Sequence, residues 1–85
     1  MFNIELTNNS KGFLKRCDGK LLERLKKKMR DLQNEPFPSD CKRVVGRPEK
    51  TFRVRVGDYR ILYSLLAEQS VIIIQDIDKR ANVYD

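Results

Sequence analysis

The sequence predicts an α+β fold in one domain spanning residues 1–85. An N-terminal strand and a helical hairpin pack on a small, mostly antiparallel sheet of about four strands. Three observations carry this. Alternating apolar residues at the very start are followed by two consecutive stretches with helical periodicity, and everything after Pro38 reads as strand and turn. Strands and helices that are segregated along the chain exclude an alternating βαβ arrangement and favour helices on one face of a sheet. At 85 residues the chain has room for one hydrophobic core, and neither internal repeats nor low-complexity linkers interrupt it.

The elements follow in order. Phe2-Asn3-Ile4-Glu5-Leu6 alternates with period two, as a strand with one buried face does. Asn8-Asn9-Ser10 offers N-caps for a short helix in which Phe13, Leu14 and Cys17 form one stripe, ended by Asp18-Gly19. Asp18 can cap a second helix whose Leu21, Leu22, Leu25, Met29 and Leu32 recur at steps near 3.6. Asn34-Glu35-Pro36-Phe37-Pro38 stops that helix, because proline lacks the N–H that the helix requires and pushes its predecessor toward extended geometry. Val44-Val45-Gly46-Arg47-Pro48 is a short apolar segment ending in a turn. Thr51–Val56 alternates cleanly with Phe52, Val54 and Val56 inward, and Gly57-Asp58 links it to a strand over Tyr59–Leu65. Glycine at the first central position is what a type II′ hairpin turn requires. After a further turn at Leu66–Ser70, Val71–Ile77 is apolar on both faces, which suits an interior strand, and Asp78–Asp85 forms a tail.

Composition narrows the chemistry. The longest apolar runs fall far short of the roughly 18 residues that a membrane span needs, and the amino terminus lacks a basic segment followed by an apolar one, so a cytoplasmic protein with no membrane partner is expected. Eighteen Lys and Arg against twelve Asp and Glu give a net charge of +6, which favours an anionic partner such as nucleic acid. Histidine is absent, which removes the side chain most used for proton transfer near neutral pH and the commonest metal ligand. Cys17 and Cys41 form no CxxC pair, so neither a zinc site nor any other metal or cofactor is expected, and both read as reduced, partly buried thiols.

Positive charge concentrates in two places. The polar face of the second helix carries Lys20, Arg24, Lys26, Lys27, Lys28 and Arg30 against Glu23, an arrangement that in most proteins is a solvated helix face. Between Lys42 and Arg60 seven basic residues face only Glu49 and Asp58, a net +5 in nineteen positions. With Gly57 and Asp58 at the turn, Val56 faces Tyr59, Arg55 faces Arg60 and Arg53 faces Leu62, so Arg53, Arg55 and Arg60 emerge on one face. Like charges directly opposite on a sheet are destabilising by up to about 1 kcal/mol. An internal carboxylate, with Asp76 and Glu49 as candidates, can offset that, and so can a bound phosphate, which matches the planar arginine fork.

These residues resemble a known family. The order of a strand, a helical hairpin, Gly46-Arg47-Pro48, the stretch RVRVGDYRILY (Arg53–Tyr63), an Ile-rich strand and Arg80-Ala81-Asn82-Val83-Tyr84 is similar to RelE-type toxins of the RelE/ParE superfamily, over essentially the whole chain. The resemblance implies a RelE-like fold and the toxin of a type II toxin–antitoxin pair, a cytoplasmic endoribonuclease that enters the ribosomal A site and cuts messenger RNA there without a metal. It implies a cognate antitoxin as partner, an acidic or amphipathic chain. In that reaction the ribose 2′-hydroxyl attacks the adjacent phosphorus, leaving a 2′,3′-cyclic phosphate and a 5′-hydroxyl.

Carried over position by position, Arg53 and Arg55 match two basic strand positions, Arg60 matches the hairpin arginine, and Arg80 and Tyr84 match the basic and tyrosine positions near the C terminus. Arg60 and Arg80 would clamp the scissile phosphate, and Tyr84 would stack on a base or orient the ribose. Lys20, Arg24, Lys27, Lys28, Arg43, Arg47 and Lys50 would contact RNA or the ribosome. The chain departs from relatives in carrying Arg at strand positions where they often have Lys, and Lys79 where they often have His, which makes Lys79 the candidate proton carrier with Glu49 behind it. Two other readings stay open. A ParE-type toxin of the same fold would act on DNA gyrase, and a basic domain of this kind could bind RNA without cutting it.

Overall fold

The computed structural model describes residues 1–47 and 49–79, with the elements β1 (Asn3–Leu6), α1 (Asn8–Arg16), α2 (Gly19–Asn34), β2 (Lys42–Val44), β3 (Thr51–Val56), β4 (Tyr59–Leu66) and β5 (Val71–Lys79). A 3-10 turn over Ala67–Gln69 joins the last two strands, with Ser70 in the left-handed conformation. The sheet order is β1-β5-β4-β3-β2, parallel between β1 and β5 and antiparallel elsewhere. The class is the α+β class read from the sequence, with five strands in place of about four. The additional strand is Lys42–Val44, which pairs Lys42 with Arg53 and Val44 with Thr51. It is short, charged and at the edge, so its backbone ladder holds it without an apolar pattern that a sequence reading could detect.

The helices cover one face of the sheet. Leu21, Leu25, Met29 and Leu32 of α2 are buried against Val54, Val56, Ile61, Tyr63, Ile72, Ile74 and Ile77. The spacing of the α2 leucines is what produces this single stripe. Asp18 caps α2 by accepting from the Leu21 amide at 2.9 Å, as expected. The cap of α1 lies one residue earlier than the Asn8–Ser10 cluster: the Thr7 hydroxyl oxygen accepts from the Ser10 amide. Thr7 wins because it is also tied to the sheet, where its hydroxyl lies 2.7 Å from the Gln75 carbonyl oxygen and its amide donates to that of Ile74.

One irregularity in β5 sets the phase of everything after it. Leu62 pairs with Asp76 but Tyr63 pairs with Ile74, so Gln75 is an extra residue, a β-bulge. Ile72, Ile74 and Ile77 therefore all enter the core, although strict alternation would send Asp76 and Asp78 there instead. The bulge turns Asp76 and Asp78 to the opposite face. β5 also runs beyond Ile77 to Lys79, because Asp78 and Lys79 pair with Arg60 and Tyr59.

Candidate functional site

The β3–β4 hairpin positions the basic residues. Val56 pairs with Tyr59, Arg55 with Arg60 and Arg53 with Leu62, the register that the sequence implies. Gly57 has φ +60 and Asp58 has no positive φ, the combination that a type II′ turn uses. An ideal Cβ at Gly57 would lie 2.6 Å from one terminal nitrogen of Arg24, so the guanidinium of α2 sits directly over the turn. Gly57→Ala is expected to destabilise the protein by about 1–3 kcal/mol, mostly from the positive φ, and to push Arg24 aside. A lowered denaturation midpoint together with a displaced Arg24 side-chain Nε–H resonance would show both effects.

Arg24, Lys27 and Lys28 of α2 meet Arg55, Val56 and Gly57 around an open groove of about 330 Å³, with Asp31 on its rim. Among the described residues, Lys27 and Lys28 have carboxylate neighbours. Lys27 pairs with Asp31 at 3.4 Å on the exposed helix surface, a contact of little energetic weight. Lys28 pairs with Asp40 at 2.9 Å, and the lysine beside it holds the Asp40 carboxyl below its ordinary value. The groove is thus a cationic surface built from both sequence regions in which positive charge concentrates.

The three strand arginines do not share one environment. Arg53 is only 4% exposed, and one of its terminal nitrogens donates to the Asp40 carbonyl oxygen at 3.2 Å. Its side chain is packed into the fold where the sequence reading placed it on an open face. The reason is the approach to β2, which brings Asp40 alongside β3. Arg55 is half-buried and lines the groove. Arg60 is held by Asp78 through two parallel bonds of 3.0 Å, Nε to one carboxylate oxygen and a terminal nitrogen to the other. Among the described residues, the carboxylate that holds Arg60 is therefore Asp78. The two candidates named from the sequence are engaged elsewhere, since Glu49 accepts from Gln75 and Asp76 accepts from the Ile77 amide.

The remaining predicted positions separate. Lys79 pairs with Tyr59 and so lies on the face of Val56 and Ile61, opposite Arg60 and Asp78. Lys20 is exposed on the first turn of α2. Arg43 pairs with Phe52, and Arg47 and Lys50 are exposed in the β2–β3 connection, at the end of β3 away from Gly57. Arg80 and Tyr84 lie outside the described residues. Tyr63 is buried and donates its hydroxyl proton to the Pro36 carbonyl oxygen, and burial pushes its phenol well above the ordinary range. It anchors the loop after α2 and is not a proton carrier. Cys17 and Cys41 are free and half-buried.

Comparison with known proteins places this arrangement. The model of the ParE toxin of type II toxin–antitoxin systems matches residues 4–84. The candidate toxin RelE1 of Methanocaldococcus jannaschii is 33% identical over 86 residues, covering 98% of this chain and 94% of its own. The RelE–RelB complex of Pyrococcus horikoshii contains a chain that superposes with a TM-score of 0.82 at 23% identity, over 96% of this chain and 98% of that one, which shows the common fold. The RelBE2 complex of Mycobacterium tuberculosis gives 0.80 at 25% identity, over 93% and 98%. With a family model that spans nearly every residue and a relative named for RelE, the chain belongs to the RelE-type toxins of the RelE/ParE family of type II toxin–antitoxin systems.

Proposed function

We propose that this toxin is a ribosome-dependent endoribonuclease that cuts messenger RNA in the A site, and that it acts in the cytoplasm. The observation that carries the reading is the pair Arg55 and Arg60, directly opposite on β3 and β4, beside a groove edged by Arg24, Lys27 and Lys28. A polyanion laid along that groove reaches the arginine pair with its phosphates. Arginine stays charged at every relevant pH and presents donors in a plane, so it suits the extra negative charge that develops on phosphorus during in-line attack.

In the proposed step the 2′-oxygen forms a bond to phosphorus as the bond from phosphorus to the 5′-oxygen breaks. The 2′-hydroxyl gives up its proton and the departing 5′-oxygen gains one. Arg55 and Arg60 stabilise the phosphorane, and the ribosome supplies the alignment of the RNA. Because Lys79 lies on the other face of the sheet from Arg60, proton exchange falls to water, and Lys79→Ala is expected to leave the single-turnover rate within about threefold of the parent. A rate lowered a hundredfold, with the pH profile displaced, would restore Lys79 as the proton carrier.

The antitoxin partner is part of the same reading, supported by related chains from Pyrococcus horikoshii and Mycobacterium tuberculosis that were crystallised in complexes with antitoxins. The deciding experiment is primer extension on a defined messenger RNA, with ribosomes holding an empty A site and, in parallel, without ribosomes. Cleavage confined to the A site supports the proposal. A folded protein that cuts in neither arm but inhibits supercoiling would establish the gyrase reading, which the match to the ParE model favours. Inactivity in all three assays, with RNA binding retained, would leave a non-cleaving basic domain.

A further inference from the structure

We infer that Asp78 is a positioning residue for Arg60, fixing the plane of its guanidinium in the free toxin; this rests on the endoribonuclease reading above. Arg60 and Asp78 are direct cross-strand partners, and both bonds of the fork measure 3.0 Å. The arginine side chain is 15% exposed and the aspartate 37%, so the pair is only partly screened by water. A two-point contact to Nε and one terminal nitrogen removes rotation about the end of the side chain, which a single bond would permit. It thereby fixes the direction in which the remaining terminal nitrogen points.

The placement depends on a specific device. Without the bulge at Gln75, strict alternation from Ile74 would turn Asp78 toward the helices. With it, Asp78 lies on the face that carries both Arg55 and Arg60 and brings a negative charge to Arg60, the arginine it pairs with. A carboxylate at this point has two opposed consequences. It either prepares Arg60 for the phosphate, or it occupies the fork that the phosphate would take. The geometry points to the first, because Asp78 takes the side edge of the guanidinium through Nε and leaves the orientation of the end-on edge defined.

The test is Asp78→Asn with Asp78→Glu beside it, assayed for single-turnover cleavage on programmed ribosomes and for the side-chain Nε–H resonance of Arg60 by NMR. Positioning predicts a rate at least tenfold lower for Asp78→Asn with ribosome affinity unchanged or tighter, partial recovery in Asp78→Glu, and faster solvent exchange of the Arg60 Nε–H. In an Arg60→Lys background, Asp78→Asn should change the rate less than twofold, because the fork it orients is gone. An unchanged or increased rate in Asp78→Asn would overturn the proposal and make Asp78 neutral or a competitor of the phosphate. Unchanged Nε–H exchange would overturn it independently of catalysis, and a parent protein that cuts no RNA would sink the endoribonuclease reading while the exchange result still reports on Asp78.

Discussion

Arg60→Ala is expected to lower the single-turnover rate of RNA cleavage by about 10²–10³-fold, the loss typical of one preorganised oxyanion donor, and Arg55→Ala to act similarly. The two variants should part company in stability. Arg60→Ala removes both bonds to Asp78, a partly exposed pair whose loss costs roughly 1 kcal/mol or less. Arg55→Ala removes a like charge directly opposite Arg60, a change that by itself favours the fold by up to about 1 kcal/mol. Loss of activity in a fully folded Arg55→Ala protein is the informative result, because it separates the work of the charge from its cost to the fold. Chemical denaturation and primer extension on the same preparations check both halves. An Arg55→Ala/Arg60→Ala protein that still arrests growth as the parent does would remove the proposed centre altogether.

What the sequence made legible, and what it did not, follows from how each feature is encoded. The Arg55–Arg60 opposition could be derived because a two-residue turn with Gly57 at its first central position fixes the register and strand alternation does the rest. The burial of Arg53 could not, since it depends on where the chain places Asp40 before β2. Asp78 was missed for a different reason. In Val71-Ile72-Ile73-Ile74 every residue is apolar, so the run carries no phase, and the bulge at Gln75 that decides which face Asp78 takes leaves no periodic trace. Asp76 was the natural candidate on strict numbering, and it does share the correct face, but its side chain accepts from the next amide along the strand. The groove was half legible: the charge on α2 and on β3 was evident, whereas the seating of Arg24 over Gly57, which joins them, is tertiary.

Thr7→Val tests whether that bulge is held by the fold in the way the contacts indicate. The Thr7 hydroxyl does two jobs: its oxygen accepts from the Ser10 amide as the cap of α1, and it lies 2.7 Å from the Gln75 carbonyl oxygen at the bulge. Valine keeps the shape and removes both. Losing a threonine cap costs about 1 kcal/mol, and an unpaired carbonyl in a partly buried site costs about 1–3 kcal/mol more. The sum, about 2–4 kcal/mol, corresponds to a fall in melting temperature of roughly 10–25 °C for a domain of this size. Ile74 is less affected, because its carbonyl oxygen also accepts from the Thr7 amide and the buried Ser10 hydroxyl. Thr7→Ser retains the hydroxyl and should stay within about 1 kcal/mol of the parent, which makes it the control for a packing effect. If the bulge shifts in Thr7→Val, Ile77 and Asp78 lose their faces together, so the surviving folded protein should show faster exchange at the Arg60 Nε–H along with its lower stability. A Thr7→Val protein as stable as the parent would mean that the bulge is set by the Ile72, Ile74 and Ile77 side chains alone, through their demand for the core.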